Sequence, residues 1–165
     1  MTENPSFSPE RICAVVKTVE SLYPDESFTS GMCGVLAVAL HTVIQELPDT
    51  PENLHVTVMF RVEEFEGSEV TSLSHIMLCF THLKTLYTVD INGVGADERW
   101  QSYVEESIAP FSDADDYAFR YQDHYGCAVK EQLQSLAVDW GMARHTPEVI
   151  AALERRVRAI YKGLE

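Results

Sequence analysis

A chain of 165 residues is long enough for one ordinary domain and short for two. With 45% hydrophobic and 23% charged residues it has a globular balance, which excludes a disordered or fibrous chain and predicts a packed core. The 26 acidic against 12 basic residues, a formal net charge of -14, exclude a phosphate-backbone binder and leave basic peptides, amines or a cationic protein patch as partners, unless the acidity serves solubility alone.

The opening Met1-Thr2-Glu3-Asn4-Pro5 lacks the basic start and apolar run of a signal peptide. No stretch reaches the roughly 18 consecutive apolar residues of a membrane span, so a cytoplasmic protein with no membrane contact is expected. Ser8-Pro9-Glu10 is a helix start, with Ser8 as N-cap and Pro9 at the first helical position. Ile12, Val15, Val16, Val19 and Leu22 recur at helical spacing until Pro24 stops the pattern, and Cys13 lies beside that stripe as a structural thiol.

After the loop from Tyr23 to Thr29 comes Ser30-Gly31-Met32-Cys33-Gly34, running into an apolar segment that predicts a helix over about 33–46. Its apolar residues cover most of the circumference, which places it at the centre of the domain, and Gly34, Ala37 and Ala39 allow close approach of a sheet. Cys33 falls in the first turn, where unpaired N–H groups and the positive end of the dipole favour a thiolate. Read without a partner base, the same cysteine is a small buried hydrophobe. His41 points about 80° away from Cys33 around the helix and reads as a partly buried, hydrogen-bonded histidine.

Pro48 to Pro51 make a stop and turn, and Leu54, Val56, Val58, Phe60 and Val62 then alternate with mostly polar neighbours as a half-buried strand. Glu63 to Glu69, with Gly67, form an acidic hairpin or loop leading to a second strand, Ser74 to Phe80, and a third follows from Thr85 to Ile91. Closing the last hairpin with Phe80 opposite Thr85 puts His75 opposite Asp90 on one face, about 5 Å apart at Cβ. A one-residue slip would separate them onto opposite faces. An aspartate so placed orients an imidazole, whose other nitrogen serves a thiol.

Asn92 to Asp97 read as a flexible turn with an Asp N-cap, feeding a helix through Trp100, Tyr103, Val104 and Ile108 that stops at Pro110. Ser112 to Asp116 form an acidic loop. The aromatic stretch Tyr117 to Tyr125 is either a strand or an irregular cover, and either a substrate wall or plain packing. Ala128 to Trp140 and a final helix capped by Thr146-Pro147 complete a helical extension over 97–165, which braces the core, forms a homodimer surface or recognises a partner protein. The four cysteines, Cys13, Cys33, Cys79 and Cys127, contain no CxxC pair and signal neither a zinc ribbon nor a disulfide framework.

Gly31 and Cys33 opening a helix with Ala37 and Leu40 behind them, His75 starting a strand, and Asp90 on the next with Asn92 and Gly93 after it together resemble the papain-like cysteine enzymes, most nearly the transglutaminase-like superfamily. The resemblance covers about residues 28–95 within a single domain. It implies an α+β fold with a central buried cysteine-bearing helix packed on a small antiparallel sheet. It further implies Cys33 as nucleophile, His75 as general base and acid, Asp90 as the residue orienting His75, and Gly31, Met32, Gly34 and Asn92 at the substrate, with no cofactor and no metal. Ile76-Met77 stand where Ala-Trp often follows the histidine, Tyr87 where a Trp often begins the aspartate segment, and Ser27 where a papain-type glutamine would be. The expected activity is hydrolysis or acyl transfer at an amide or thioester bond of a peptide, protein or amine substrate. The alternative is a non-catalytic acidic protein that keeps the fold and binds a partner; an acidic mimic of nucleic acid rests on charge alone.

Overall fold

The computed structural model describes residues 6–24, 28, 31–96, 98–108, 116–142 and 144–163. Ser8 and Pro9 start the first helix, α1 (Pro9–Leu22), with the Ser8 hydroxyl accepting the Arg11 N–H at 3.1 Å. Its buried stripe is Ile12, Val15, Val16 and Val19. Helix α2 (Cys33–Gln45) is buried continuously from Cys33 to His41. Such an all-round apolar helix needs cover on every side, and the sheet, α4 (Val129–Asp139) and α5 (Pro147–Gly163) supply it.

The fold is α+β. Strands β1 (Glu52–Phe65), β2 (Ser68–His82), β3 (Thr85–Asp90), β4 (Gly93–Ala96) and β5 (Asp116–Tyr125) form one antiparallel sheet in the order β4-β3-β2-β1-β5. Val56, Val58, Ile76, Leu78 and Phe80 join the α2 core. Their strand neighbours Met59 and Met77 point the other way and pack with Val104 of α3 (Glu98–Ile108), flanked by Trp100 and Phe119. The middle of β1 is therefore buried on both faces, not half-buried as its alternation suggested, because helices cover both sides of the sheet.

Two segments depart from the sequence reading. Residues 93–96 form a strand, not a flexible turn; only Ile91-Asn92 turn the chain, and Gly95 is required because a Cβ there would lie 2.5 Å from the Trp100 ring. The aromatic stretch is an edge strand paired along β1, so residues 97–165 contribute a strand as well as helices. The acidic loop before Asp116, the Asp97 cap and the Pro110 stop lie outside the described residues.

Both long hairpins close through two-residue turns with positive φ, Glu66-Gly67 (48° and 79°) and Leu83-Lys84 (48° and 66°). This is the conformation that matches strand twist. In the second hairpin His82 pairs with Thr85 and Phe80 with Tyr87, two residues from the expected register. In the C-terminal block the Thr146 hydroxyl accepts the Val149 N–H at 3.3 Å, and Ile150, Leu153, Val157 and Tyr161 turn the apolar stripe of α5 inward onto the α2 core. No helix among the described residues is long and apolar enough to cross a membrane.

Candidate functional site

Gly31 sits at φ +85°, a left-handed conformation that only glycine adopts without strain, and turns the chain into α2. Cys33 is the first residue of that helix and is 5% exposed. Met32 occupies the N-cap position and makes no side-chain cap hydrogen bond. The first intrahelical bond runs from the Leu36 N–H to the Met32 carbonyl at 3.2 Å. The N–H groups of Cys33, Gly34 and Val35 precede it and stand at the positive end of the helix dipole.

The start of α2 lies on β2: a Cβ built on Gly34 would come within 2.7 Å of Ile76 Cδ1. His75 precedes Ile76 on the same strand, and its imidazole interacts with Cys33. His75 pairs with Met59 while Leu73 pairs with Phe60, so Ser74 is an extra residue, a bulge that re-aims the side chain beside it. Continuing the β2–β3 register by one step places Asp90 across from Met77, diagonal to His75 and not directly opposite it. The departure from the expected pairing is even, so both side chains stay on one face. His75 Nε2 meets Asp90 Oδ2 at 2.9 Å, with both side chains nearly fully buried. The second Asp90 oxygen accepts the Asn92 N–H at 2.8 Å, so the turn after β3 fixes the carboxylate. Asn92 itself is exposed and acts here through its backbone.

Burial alone would lower the pKa of the His75 imidazole. Hydrogen bonds with Asp90 and Cys33, and the negative charge on both, outweigh it and push the value up to about 9. Nε2 is the nitrogen engaged by Asp90. His75 is thus ion-paired with Asp90 and interacts with Cys33.

The other expected site residues fall differently. Gly31 is exposed and open, Met32 is 7% exposed, and Gly34 is covered by Ile76 and His145 rather than open to solvent. His145, on the connection between α4 and α5, was not singled out by the sequence; its Nε2 lies 2.2 Å from where a Gly34 Cβ would be. Burial lowers its pKa. His41 is fully buried and not partly so, and burial followed by the charge of His55 lowers its pKa to about 4. Cys79 contacts Thr57 at 3.5 Å and Thr88 at 3.9 Å, and burial raises its thiol pKa. Among the described residues no three His, Cys, Asp or Glu side chains are grouped to hold a metal.

On β5 three exposed tyrosines each make one contact: Tyr117 lies 4.4 Å from the Arg61 guanidinium, Tyr125 stacks on His55 at 4.7 Å, and the Tyr121 hydroxyl bonds Glu105. Two clefts, of about 620 Å³ beside Asp123, Tyr125 and Asp139 and about 420 Å³ beside His41, Cys127 and Lys130, are lined by none of the three residues Cys33, His75 and Asp90. Compared with protein-family models, with curated proteins and with solved structures, the chain matches none.

Proposed function

We propose that this chain is a cysteine-nucleophile hydrolase or acyltransferase acting on amide or thioester bonds, with a papain-like or transglutaminase-like core. The observation that carries the reading is the His75–Asp90 hydrogen bond at 2.9 Å together with the interaction of His75 with Cys33, the first residue of a buried helix. Cys33, at a helix N-terminus and interacting with His75, is placed to act as the nucleophile. The Cys33 sulfur bonds to the acyl carbon, the carbonyl π pair moves onto oxygen, and its return expels an amine or thiol that takes a proton from His75. Water or an amine then attacks the thioester, His75 accepts its proton, and Cys33 leaves as thiolate. The net charge of -14 favours a basic peptide, protein or amine substrate.

A second reading, an acidic protein that keeps the fold and binds a partner without turnover, is favoured by the burial of the three groups, each 5% exposed or less. Labelling by iodoacetamide against pH, mapped to each cysteine, separates the two. Under the enzymatic reading Cys33 reacts faster below about pH 7 than the exposed Cys127, in spite of its burial. Labelling confined to Cys127 in that range would refute it.

A further inference from the structure

The start of α2 carries a second anomaly, separate from the Cys33-His75-Asp90 chain. His145 is 5% exposed, and neither ring nitrogen has a hydrogen-bond partner among the described residues. Buried polar groups are rarely left unpaired, and an imidazole used only to fill space would be better served by an apolar ring. The ring sits on the bare Cα of Gly34, a contact any larger residue at 34 would forbid, with its Nε2 the nearest atom. Gly34 lies in the first turn of α2, whose end Met32 leaves without a side-chain cap. The unpartnered ring thus rests against the first turn of the helix that bears Cys33.

We infer that His145 and the α2 N-terminus form the subsite for the acyl oxygen of the substrate, with His145 donating a hydrogen bond to the oxygen as it becomes negative. The inference rests on the proposed cysteine chemistry and adds a residue to it from the C-terminal helical block, which has no counterpart in the resemblance. A neutral imidazole suits the task, since it presents one N–H to an oxyanion, and burial keeps His145 in that form.

The test compares two reactions of the same thiol in the full chain. Acylation by p-nitrophenyl acetate forms the Cys33–acyl bond through a carbonyl oxyanion and releases p-nitrophenolate; alkylation by iodoacetamide displaces iodide and forms no oxyanion. His145→Phe, which removes both nitrogens without opening a cavity, is expected to slow Cys33 acylation by about a hundredfold while leaving its alkylation unchanged. His145→Gln, which restores a neutral donor, is expected to recover much of the acylation rate. Equal loss of both reactions in His145→Phe, or acylation at the wild-type rate, would overturn the subsite. A wild-type Cys33 inert to both reagents would instead remove the underlying chemistry, and the subsite with it. Alkylation without acylation in the wild type would leave a reactive thiol and overturn the subsite alone.

Discussion

Replacing Asp90 by Asn keeps the shape of the site and removes one charge, and its effect on stability must depend on pH in a defined direction. The folded-state pKa of His75 stands at about 9 against an ordinary 6.5, despite burial and because of Asp90 and Cys33. A group whose pKa is raised on folding contributes stability that is complete below about pH 6.5 and is lost as pH climbs through 9. At about 1.4 kcal/mol per pH unit, that interval corresponds to roughly 3 kcal/mol, shared between the aspartate and the thiol. The wild type is expected to exceed Asp90→Asn in unfolding free energy by the largest margin at pH 6. That margin should narrow by about 1 to 2 kcal/mol by pH 9.5. Urea unfolding followed by circular dichroism, under reducing conditions because the described cysteines are free thiols, reads both curves. A margin constant across the range would refute the claim that Asp90 holds a charged His75.

On the acid side the sign reverses. His41 has its pKa lowered to about 4 by burial and by His55, so its contribution is lost as pH falls from 6.5 towards 4, and His41→Leu should flatten that limb in the same urea assay. Gly34→Ala should destabilise by about 1 to 3 kcal/mol, since the new methyl meets His145 and Ile76; His145→Ala in the same chain should relieve part of the cost, and additive losses in the double mutant would count against the contact. Gly95→Ala should cost a similar amount through collision with the Trp100 ring, read as a fall in Tm and altered near-ultraviolet dichroism. Converting Leu83-Lys84 to Asn-Gly should raise stability by about 1 kcal/mol, because both residues hold positive φ and Leu83 is 85% exposed; no gain would mean that the turn carries no strain.

The start of α1 was legible because Ser8 and Pro9 act locally, and α2 because an apolar circumference has one physical outcome. The register of the β2–β3 hairpin was not legible. Its turn lacks the Asn, Asp or Gly that usually marks positive φ, so Leu83 and Lys84 read as half of a four-residue turn, Thr81 to Lys84. The pairing of His75 with Asp90 survived because the departure was even and because the bulge at Ser74 adjusts the histidine locally. Residues 93–96 were misread for the opposite reason: glycines that signal a turn in isolation here admit the Trp100 ring, a tertiary cause that periodicity cannot display. His145 carried no local signal, since its meaning comes from a glycine more than a hundred residues earlier in the chain.

A helix buried on all sides poses a problem at its N-terminus, where the first N–H groups have no partners within the helix. The economical structural answer is a Ser, Asp or Asn at the N-cap. This chain has Met32 there, then a thiol, and surrounds that end with an ion-paired histidine and an unpartnered one. Each of these choices is unfavourable for stability when taken alone: an omitted cap, a desolvated ion pair and a buried unpaired imidazole. They come from the first turn of α2, from β2 and β3, and from the connection between α4 and α5, whereas most of the remaining circumference of α2 is aliphatic. Unfavourable polar groups gathered at one end of a buried helix suit pre-organised chemistry, because donors and charges held away from water need no reorganisation when a substrate develops charge.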